Sequence, residues 1–252
     1  MDISVCIKEV PDLDAPFSVQ EGDLAFDTDR VVLNAYDASA VEAALVLTEE
    51  HGGTVEVVTV GPEDVTETIR KALAMGADRA VHLTTNGEAY DARAYAEVLS
   101  GYYRTADVDA IFCGKQSQDT DAGLTGPMLA TLLDLPFAAN VVGIDVEGNG
   151  LVVERQGDKG SEMIELSEPC LVTCSNDMNN PRIPKLKGIM KAKKKPVDTT
   201  PAAEFGGAER ANTTVVGYEP VPEREPGTIL EGDTEEVVDD LVSRLDDEAN
   251  VL

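Results

Sequence analysis

Residues 110–113, Ala-Ile-Phe-Cys, form a short apolar run that leads directly into a polar loop, Gly114-Lys115-Gln116-Ser117-Gln118 and onward to residue 126. A helix is predicted after it, over residues 127–133. Ligands of open parallel sheets bind beyond the carboxyl ends of the strands, against helix N-termini that carry free N–H groups. This loop is therefore the first candidate for a binding site. It is not a Walker A loop, because Ala110 and Gln116 occupy the positions of the required Gly and of the required Ser or Thr.

The alternation of apolar runs with helix-period segments extends through the first half of the chain. It predicts strands at residues 3–7, 54–60, 80–83 and 110–113, with helices between them. After about residue 140 the pattern predicts an antiparallel hairpin at 141–146 and 151–155, then strands at 161–166 and 170–174. The predicted fold class is α/β, a Rossmann-like parallel sheet flanked by helices, with an antiparallel extension and a C-terminal arm.

The chain is predicted to divide after residue 197. Residues 1–197 would form the α/β domain. Residues 198–226 are rich in Pro, Gly, Thr and Glu, which predicts an extended arm with little core of its own. An acidic amphipathic helix is predicted at 234–245 within this second part, residues 198–252.

The charge balance excludes several classes of partner. Among 252 residues, 48 Asp and Glu face 20 Lys and Arg, for a net charge of -28. Such a chain repels phosphate backbones and anionic membranes, which argues against nucleic-acid or lipid-surface binding. The interleaved acidic residues resemble the composition of proteins from extreme halophiles. The sequence contains neither an apolar run of about 20 residues nor a signal-peptide pattern, and a cytoplasmic protein is predicted.

Catalytic and metal-binding residues are not predicted. The two histidines leave no Ser-His-Asp or Cys-His arrangement, and zinc or iron–sulfur spacing is absent. Four cysteines, Cys6, Cys113, Cys170 and Cys174, lie in apolar runs and are expected to be buried and reduced. Cys170 and Cys174 form the close pair in sequence, on one face of a strand.

Six of the ten lysines lie within residues 185–195, mixed with Leu186, Ile189 and Met190. A solvated loop is the ordinary interpretation of such a cluster. In so acidic a chain, a protruding segment that docks an acidic partner or an anionic cofactor is the favoured hypothesis.

Several motifs occur together in one order. They are Val5-Cys6-Ile7-Lys8-Glu9-Val10-Pro11-Asp12, Asn34-Ala35-Tyr36-Asp37, Val60-Gly61-Pro62, Leu73-Ala74-Met75-Gly76-Ala77-Asp78, Gly114-Lys115-Gln116, Asn180-Pro181-Arg182-Ile183-Pro184 before the lysine cluster, and Pro222-x-Arg224-x-x-Gly227. In this order and spacing the chain resembles the beta subunit of electron transfer flavoprotein, including the related FixA type.

The resemblance implies an adenine-nucleotide-binding domain that pairs with an alpha subunit holding the redox-active FAD. The pocket of the beta subunit would hold AMP or, in electron-bifurcating members, a second FAD. By position, the residues implied to line it are Cys6, Lys8, Asn34, Val60, Gly61, Asp119, Asp121, Gly123, Leu124 and Thr125. Asp119 and Asp121 would repel phosphate and are expected to contact hydroxyls or to form loop turns. Ala35 replaces the usual proline, and Thr125-Gly126-Pro127 combines features of both member types, so both nucleotides stay open.

The resemblance also implies a role for the lysine cluster. Leu186 matches the apolar anchor by which family members bind acyl-CoA dehydrogenases, and Ile189, Met190, Lys191 and Lys194 would flank it. Electrons would then pass toward a quinone oxidoreductase.

Two other classes share a similar α/β core: a stand-alone nucleotide-sensing module of the universal-stress type, and an adenylating or pyrophosphatase enzyme. This sequence contains neither the glycine-rich phosphate loop of the first class nor the Ser-Gly-Gly-x-Asp loop of the second.

Overall fold

The computed structural model describes residues 1–27, 29–86, 90–148, 150–206, 211–222 and 226–248. The strands are β1 (Asp2–Cys6), β2 (Glu9–Pro11), β3 (Phe17–Gln20), β4 (Asp23–Phe26), β5 (Val31–Leu33), β6 (Thr54–Gly61), β7 (Arg79–Thr84), β8 (Ala110–Gly114), β9 (Phe137–Glu147), β10 (Gly150–Gly157), β11 (Gly160–Ser167), β12 (Cys170–Cys174) and β13 (Val197–Pro201). The helices are α1 (Ala35–His51), α2 (Thr66–Met75), α3 (Ala92–Tyr103), α4 (Thr125–Leu133), α5 (Leu186–Ala192) and α6 (Thr234–Asp247). Short 3-10 helices lie at Glu63–Val65 and Ala202–Phe205.

One nine-stranded sheet organises the first part of the chain, in the order β11-β10-β9-β12-β8-β1-β6-β7-β13. In this sheet order, all neighbouring strands from β9 to the β13 edge pair in parallel. At the other end, β10 and β11 extend the sheet beyond β9 in antiparallel pairing. From β1 the chain proceeds through β6 to β7 on one side and then crosses to β8 on the other. The direction of winding therefore reverses between β1 and β8, the position where open α/β sheets bind ligands.

Helices cover both faces of this sheet. Successive strand residues point to opposite faces, so each face carries its own apolar cluster against which helices pack. Val5 and Phe112 pack with α1 and α2 in one cluster. Ile111 and Cys113 pack with α3 and α4 in the other. Strands that are apolar on both faces are typical of buried parallel sheets. The predicted α/β fold, with its parallel sheet and antiparallel extension, is confirmed.

The antiparallel extension differs in detail from the prediction. β9 is longer than expected: Phe137, Ala138 and Val141 pair in parallel with β12, and residues 141–147 pair antiparallel with β10. Asn149, in the predicted hairpin turn, lies outside the described residues.

Beyond residue 197, the position predicted for a division, the chain still belongs to the main sheet. β13 pairs in parallel with β7, with Val197 opposite Ala80, and thus forms an edge of the main sheet. An edge strand accepts Pro201, because the missing N–H is not needed for pairing on the outer side. Phe205 then packs edge to face on Tyr102. The first compact unit accordingly runs from Met1 to Gly217.

The second unit runs from Tyr218 to Leu252. Its helix α6 begins after Asp233, and Arg244 forms ion pairs with Asp240 and Glu248 one turn away on each side. None of the described α6 residues is buried, and Val238, Leu241 and Val242 expose apolar side chains. Arg224, part of the C-terminal motif, lies outside the described residues.

Candidate functional site

A cavity of about 760 Å³ lies in the first unit, at the carboxyl ends of β1, β6 and β8. It therefore occupies the point where the direction of winding reverses. Seven residues implied by the resemblance line it: Cys6, Lys8, Asn34, Val60, Gly123, Leu124 and Thr125. The polar loop after β8, predicted from the sequence as the first candidate, forms part of the wall.

Gly61, Asp119 and Asp121 are not among the lining residues. The Gly61 carbonyl accepts hydrogen bonds from His82 Nε2 at 3.1 Å and from the Thr85 amide at 2.9 Å, so Gly61 links β6 to β7. Asp119 forms an ion pair with Lys8 at 2.6 Å. Asp121 accepts a hydrogen bond from Gln116 Nε2 at 2.8 Å and has a left-handed backbone, φ 50°. Both aspartates thus shape the loop.

The floor of the cavity is held by the first turn of α1. Asp37 is buried, and its carboxylate accepts the amide of Lys8 at 2.7 Å and the amide of Gly114 at 3.0 Å. It therefore ties the end of β1 to the end of β8. A side chain at position 114 would collide with Asp37 Oδ1 at 2.3 Å, which explains the glycine there.

Asn34 extends the same connection into the loop after β8. Its Nδ2 donates to the Gln116 carbonyl at 2.8 Å, and its Oδ1 accepts the Gln118 amide at 3.2 Å. Asn34 and Asp37, together called the α1 junction, fix the strand ends and the loop as one unit. Burial raises the pKa of Asp37 to about 7, although hydrogen bonds from Lys8, Asn34 and Gly114 oppose the shift.

Helices α3 and α4 supply an apolar wall in addition to the residues implied by the resemblance. Tyr95, Leu99 and Met128 face the cavity, and Tyr90 lies edge to face on Tyr95 with ring centroids 5.5 Å apart. The Lys8 ammonium lies 5.8 Å from the centroid of the Tyr95 ring. The helical period predicts that Tyr95 and Leu99 point inward, but it does not distinguish a cavity from solid core.

Three cations line the cavity in this strongly acidic chain. Lys8 is paired with Asp119, and Arg93 is paired with Glu97 at 2.8 Å. Among the residues that the structure describes, Lys115 has no ion-pair partner. Asp37 and Asp91 also line the cavity, so Lys115 is the cation that is available to an anionic ligand among these described lining residues.

The segment 211–215 forms part of the rim. Asp91 caps α3 by accepting the Ala94 amide at 2.9 Å, and its second oxygen accepts the amides of Asn212 at 2.6 Å and Thr213 at 3.1 Å. The composition of residues 198–226 predicts an extended arm with little core of its own, and it contains no signal for this contact.

The predicted docking residues lie on or beside α5. Leu186 is 76% exposed, and Ile189, Met190, Lys191 and Lys194 are exposed as well. The segment before α5 is fastened to α1, because Arg182 pairs with Glu42 at 2.8 Å and with Glu49 at 2.5 Å. The exposed apolar side chains of α5 therefore follow a segment that is held against α1.

Two cations attach α5 to α2. Lys195 Nζ donates to the carbonyls of Leu73, Gly76 and Ala77 at the end of α2, at 3.1, 2.9 and 2.5 Å. Arg70 donates to the carbonyls of Ala192 and Lys195. Burial lowers the pKa of Lys195. This lysine is structural, although the sequence alone does not separate it from its neighbours.

Within the described ranges, no group of three His, Cys, Asp or Glu side chains could hold a metal ion. No helix within those ranges combines the length and apolarity needed to cross a bilayer.

Comparison with known proteins identifies the family. A family model described as electron transfer flavoprotein domain matches residues 23–205. Electron transfer flavoprotein subunit beta of Bacillus subtilis is 34% identical and covers 100% of both chains, and that of Mus musculus is 35% identical over 96% of this chain and 95% of its own. Caffeyl-CoA reductase-Etf complex subunit CarD of Acetobacterium woodii is 35% identical over 97% of this chain and 98% of its own. This chain therefore belongs to the electron transfer flavoprotein family, in its beta-subunit branch.

Proposed function

We propose that this chain is the beta subunit of a heterodimeric electron transfer flavoprotein, and that its cavity holds AMP or a second FAD. Its alpha partner carries the redox-active FAD. The pair takes electrons from dehydrogenases, such as acyl-CoA dehydrogenases, and passes them toward a quinone oxidoreductase in the cytoplasm. The observation that carries this proposal is a cavity with apolar walls and three cations at the reversal point of the sheet, in a chain of net charge -28.

The lining fits an adenine nucleotide. Its volume is within the range of about 300–1,000 Å³ typical of cofactor and small-molecule sites. Leu99 and Met128 offer apolar contact to a base. Lys115 and the N-terminus of α4, at Thr125, offer a cation and free amides to a phosphate. AMP would stabilise the subunit, whereas a flavin would add a second electron-carrying group.

The first test is the nucleotide content of the complex. The chain is co-expressed with its alpha partner in high salt, purified and denatured, and the released nucleotides are quantified. One FAD and one AMP per heterodimer would support a simple carrier, and two FAD would support the bifurcating type. A chain that forms no complex but binds nucleotide alone would fit a stand-alone nucleotide-sensing module instead. The absence of both would reject the proposal.

A matched pair of lysine variants tests the cavity itself. Lys115 lines the cavity, whereas Lys159 lies in the turn between β10 and β11. Loss of a charge-assisted contact to phosphate costs about 1.5–3 kcal/mol, so Lys115→Met should weaken nucleotide binding roughly tenfold or more. Lys159→Met should leave it unchanged. Equal affinities in an equilibrium binding assay would remove Lys115 from the site.

An electron-bifurcating role is the second candidate function. The relative that favours it is the subunit of a caffeyl-CoA reductase-Etf complex, whose similarity extends over nearly the full chain. The Gly126-Pro127 ending of the loop also resembles that type. Gly126 lies so close to β12 that a side chain would meet Thr173 Cγ2 at 2.5 Å. The nucleotide count described above separates the two candidates.

Docking of the dehydrogenase is assigned to the exposed face of α5. Leu186→Ala should slow electron transfer from an acyl-CoA dehydrogenase at least severalfold without loss of nucleotide, because an exposed apolar anchor with a charged rim is typical of an interface hot spot. Met163→Ala is the control, since Met163 is 66% exposed on the edge strand β11. Stopped-flow transfer rates that do not differ between the two variants would remove Leu186 from the docking surface.

A further inference from the structure

Two cysteines stand side by side on neighbouring strands. β1 and β8 pair in parallel with Val5 opposite Phe112, and the next residue on each strand is a cysteine, Cys6 and Cys113. Paired strands lie about 4.8 Å apart. A disulfide spans Cα separations of about 4.4–6.8 Å, so this pairing is close enough for one. The pair that lies close in the sequence, Cys170 and Cys174, is a different one.

Because side chains alternate along each strand, the pair Cys6 and Cys113 lies on one face of the sheet and the pair Cys170 and Cys174 on the other. Cys113 packs in the apolar cluster of α3 and α4, and Cys6 lies partly buried against the same cluster. Cys170 and Cys174 are fully buried in the cluster on the opposite face, with α1 and α2. Only the first pair lines the cavity among the described residues. Access to these two thiols therefore differs from access to the other two.

The two thiols of this pair differ in their surroundings. Cys6 is half-buried, and its Sγ lies 3.3 Å from the Tyr103 hydroxyl, which in turn is 2.9 Å from Ser4 Oγ. Cys113 is 5% exposed. Hydrogen bonding with Cys6, together with burial, raises the pKa of the Cys113 thiol. A reagent that enters the cavity therefore meets Cys6 as the more accessible sulfur, with Cys113 next to it.

We propose that Cys6 and Cys113 form a redox-modifiable dithiol in the cavity floor, which a low-molecular-mass disulfide oxidises to an intramolecular disulfide. The Cys6 thiolate attacks one sulfur of the reagent, whose S–S bond breaks and releases one thiol. The Cys113 thiolate then attacks Cys6 sulfur and releases the second thiol. Two protein thiols lose two electrons and two protons, and one small disulfide becomes two thiols.

Occupancy of the cavity should protect the dithiol from oxidation. A nucleotide in the cavity covers the floor, so it slows entry of the reagent. This part rests on the proposed function, whereas the dithiol itself rests on the strand register alone.

The test uses the full chain, fully reduced, and 2-hydroxyethyl disulfide as the oxidant at pH 8.5. Peptide mapping under acid should find a Cys6–Cys113 cross-link that dithiothreitol reverses. Phenylarsine oxide, which bridges two close thiols and releases water, serves as a second probe that needs no oxidation. Cys6→Ser and Cys113→Ser should each abolish both reactions, and Cys170→Ser should retain them. Saturating AMP should slow both at least tenfold.

The outcomes separate the two proposals. If neither reagent bridges Cys6 and Cys113 in the folded chain, while the arsenical does bind the urea-unfolded chain, the dithiol is rejected. If bridging occurs but AMP does not slow it, the dithiol stands and AMP does not occupy this cavity. A cross-link through Cys170 or Cys174 in the folded chain would also overturn the assignment.

Discussion

Asp37 is the single side chain on which most of the cavity floor depends. It holds the amide of Lys8, just after β1, and the amide of Gly114, at the end of β8, and thus joins the two strand ends beside the reversal point. The sequence places Asp37 at the start of a helix, which suggests an ordinary first-turn carboxylate. Its contact with Gly114 depends on chain segments 77 positions apart, which local patterns do not reveal.

The first prediction concerns Asp37→Asn. One amide hydrogen would then face an NH₂ group instead of an acceptor, so the variant should lose about 1–3 kcal/mol of unfolding free energy. Urea denaturation at pH 5, below the folded pKa of Asp37, measures this loss. Ser39→Ala, in the same turn, is the control because the Ser39 contact shown by the structure uses its backbone carbonyl, bonded to Asn179. An Asp37→Asn variant as stable as wild type would contradict the structural role of the α1 junction.

The raised pKa of Asp37 also predicts a pH dependence. Between the ordinary pKa, 3.8, and the folded value, about 7, the native state holds a proton that the unfolded state has released. The contribution of Asp37 to stability is therefore complete below pH 3.8 and is lost as the pH rises through about 7. Subtracting the Asp37→Asn profile from that of wild type should isolate this decline. A difference that stays constant from pH 4 to 8 would reject it.

Among the elements, α5 shows what sequence patterns identify and what they leave out. The lysine cluster with its apolar residues marks the segment, and the structure presents Leu186 and Met190 as exposed. Local composition treats all six lysines as equivalent. Lys195 is separated from the others by its three bonds to the end of α2, a tertiary contact about 120 positions away in sequence.

Substitution of the neighbouring residues Lys195 and Lys194 should therefore affect stability and docking separately. Lys195→Met removes a cation that caps the carbonyls of α2, and it should lower the unfolding free energy by about 1–2 kcal/mol. Lys194→Met, at an exposed position, should keep the stability and weaken only the association with a dehydrogenase. Thermal unfolding and binding, measured on both variants, check the separation. Equal loss of stability in the two would contradict it.

For the molecule as a whole, the net charge of -28 sets the conditions for folding. Charge repulsion acts over about 10 Å at 0.1 M salt but only about 3 Å at 1 M. We expect the unfolding midpoint to rise clearly between these concentrations of KCl, and such a rise would support the halophilic origin that the composition predicts. Sucrose at matched viscosity is the control. A midpoint that does not depend on salt would argue against this origin.

The second unit, 218–252, is expected to contact the alpha subunit, because none of the described α6 residues is buried and several are apolar. In the isolated chain, limited proteolysis should remove this unit before it cuts residues 1–217. Addition of the alpha subunit should protect it. Resistance of residues 218–252 in the absence of the partner would contradict this assignment.

The contacts that close the cavity join distant parts of the chain: Asn34 meets Gln116 across 82 positions, and Asp91 meets Asn212 across 121. During synthesis, the rim is completed only after residue 215 has left the ribosome. A nucleotide therefore cannot guide the early steps of folding by binding this completed site. If the cavity holds a nucleotide as proposed, the nucleotide would instead stabilise finished chains by mass action, and its supply in the cell would set how many newly made chains persist.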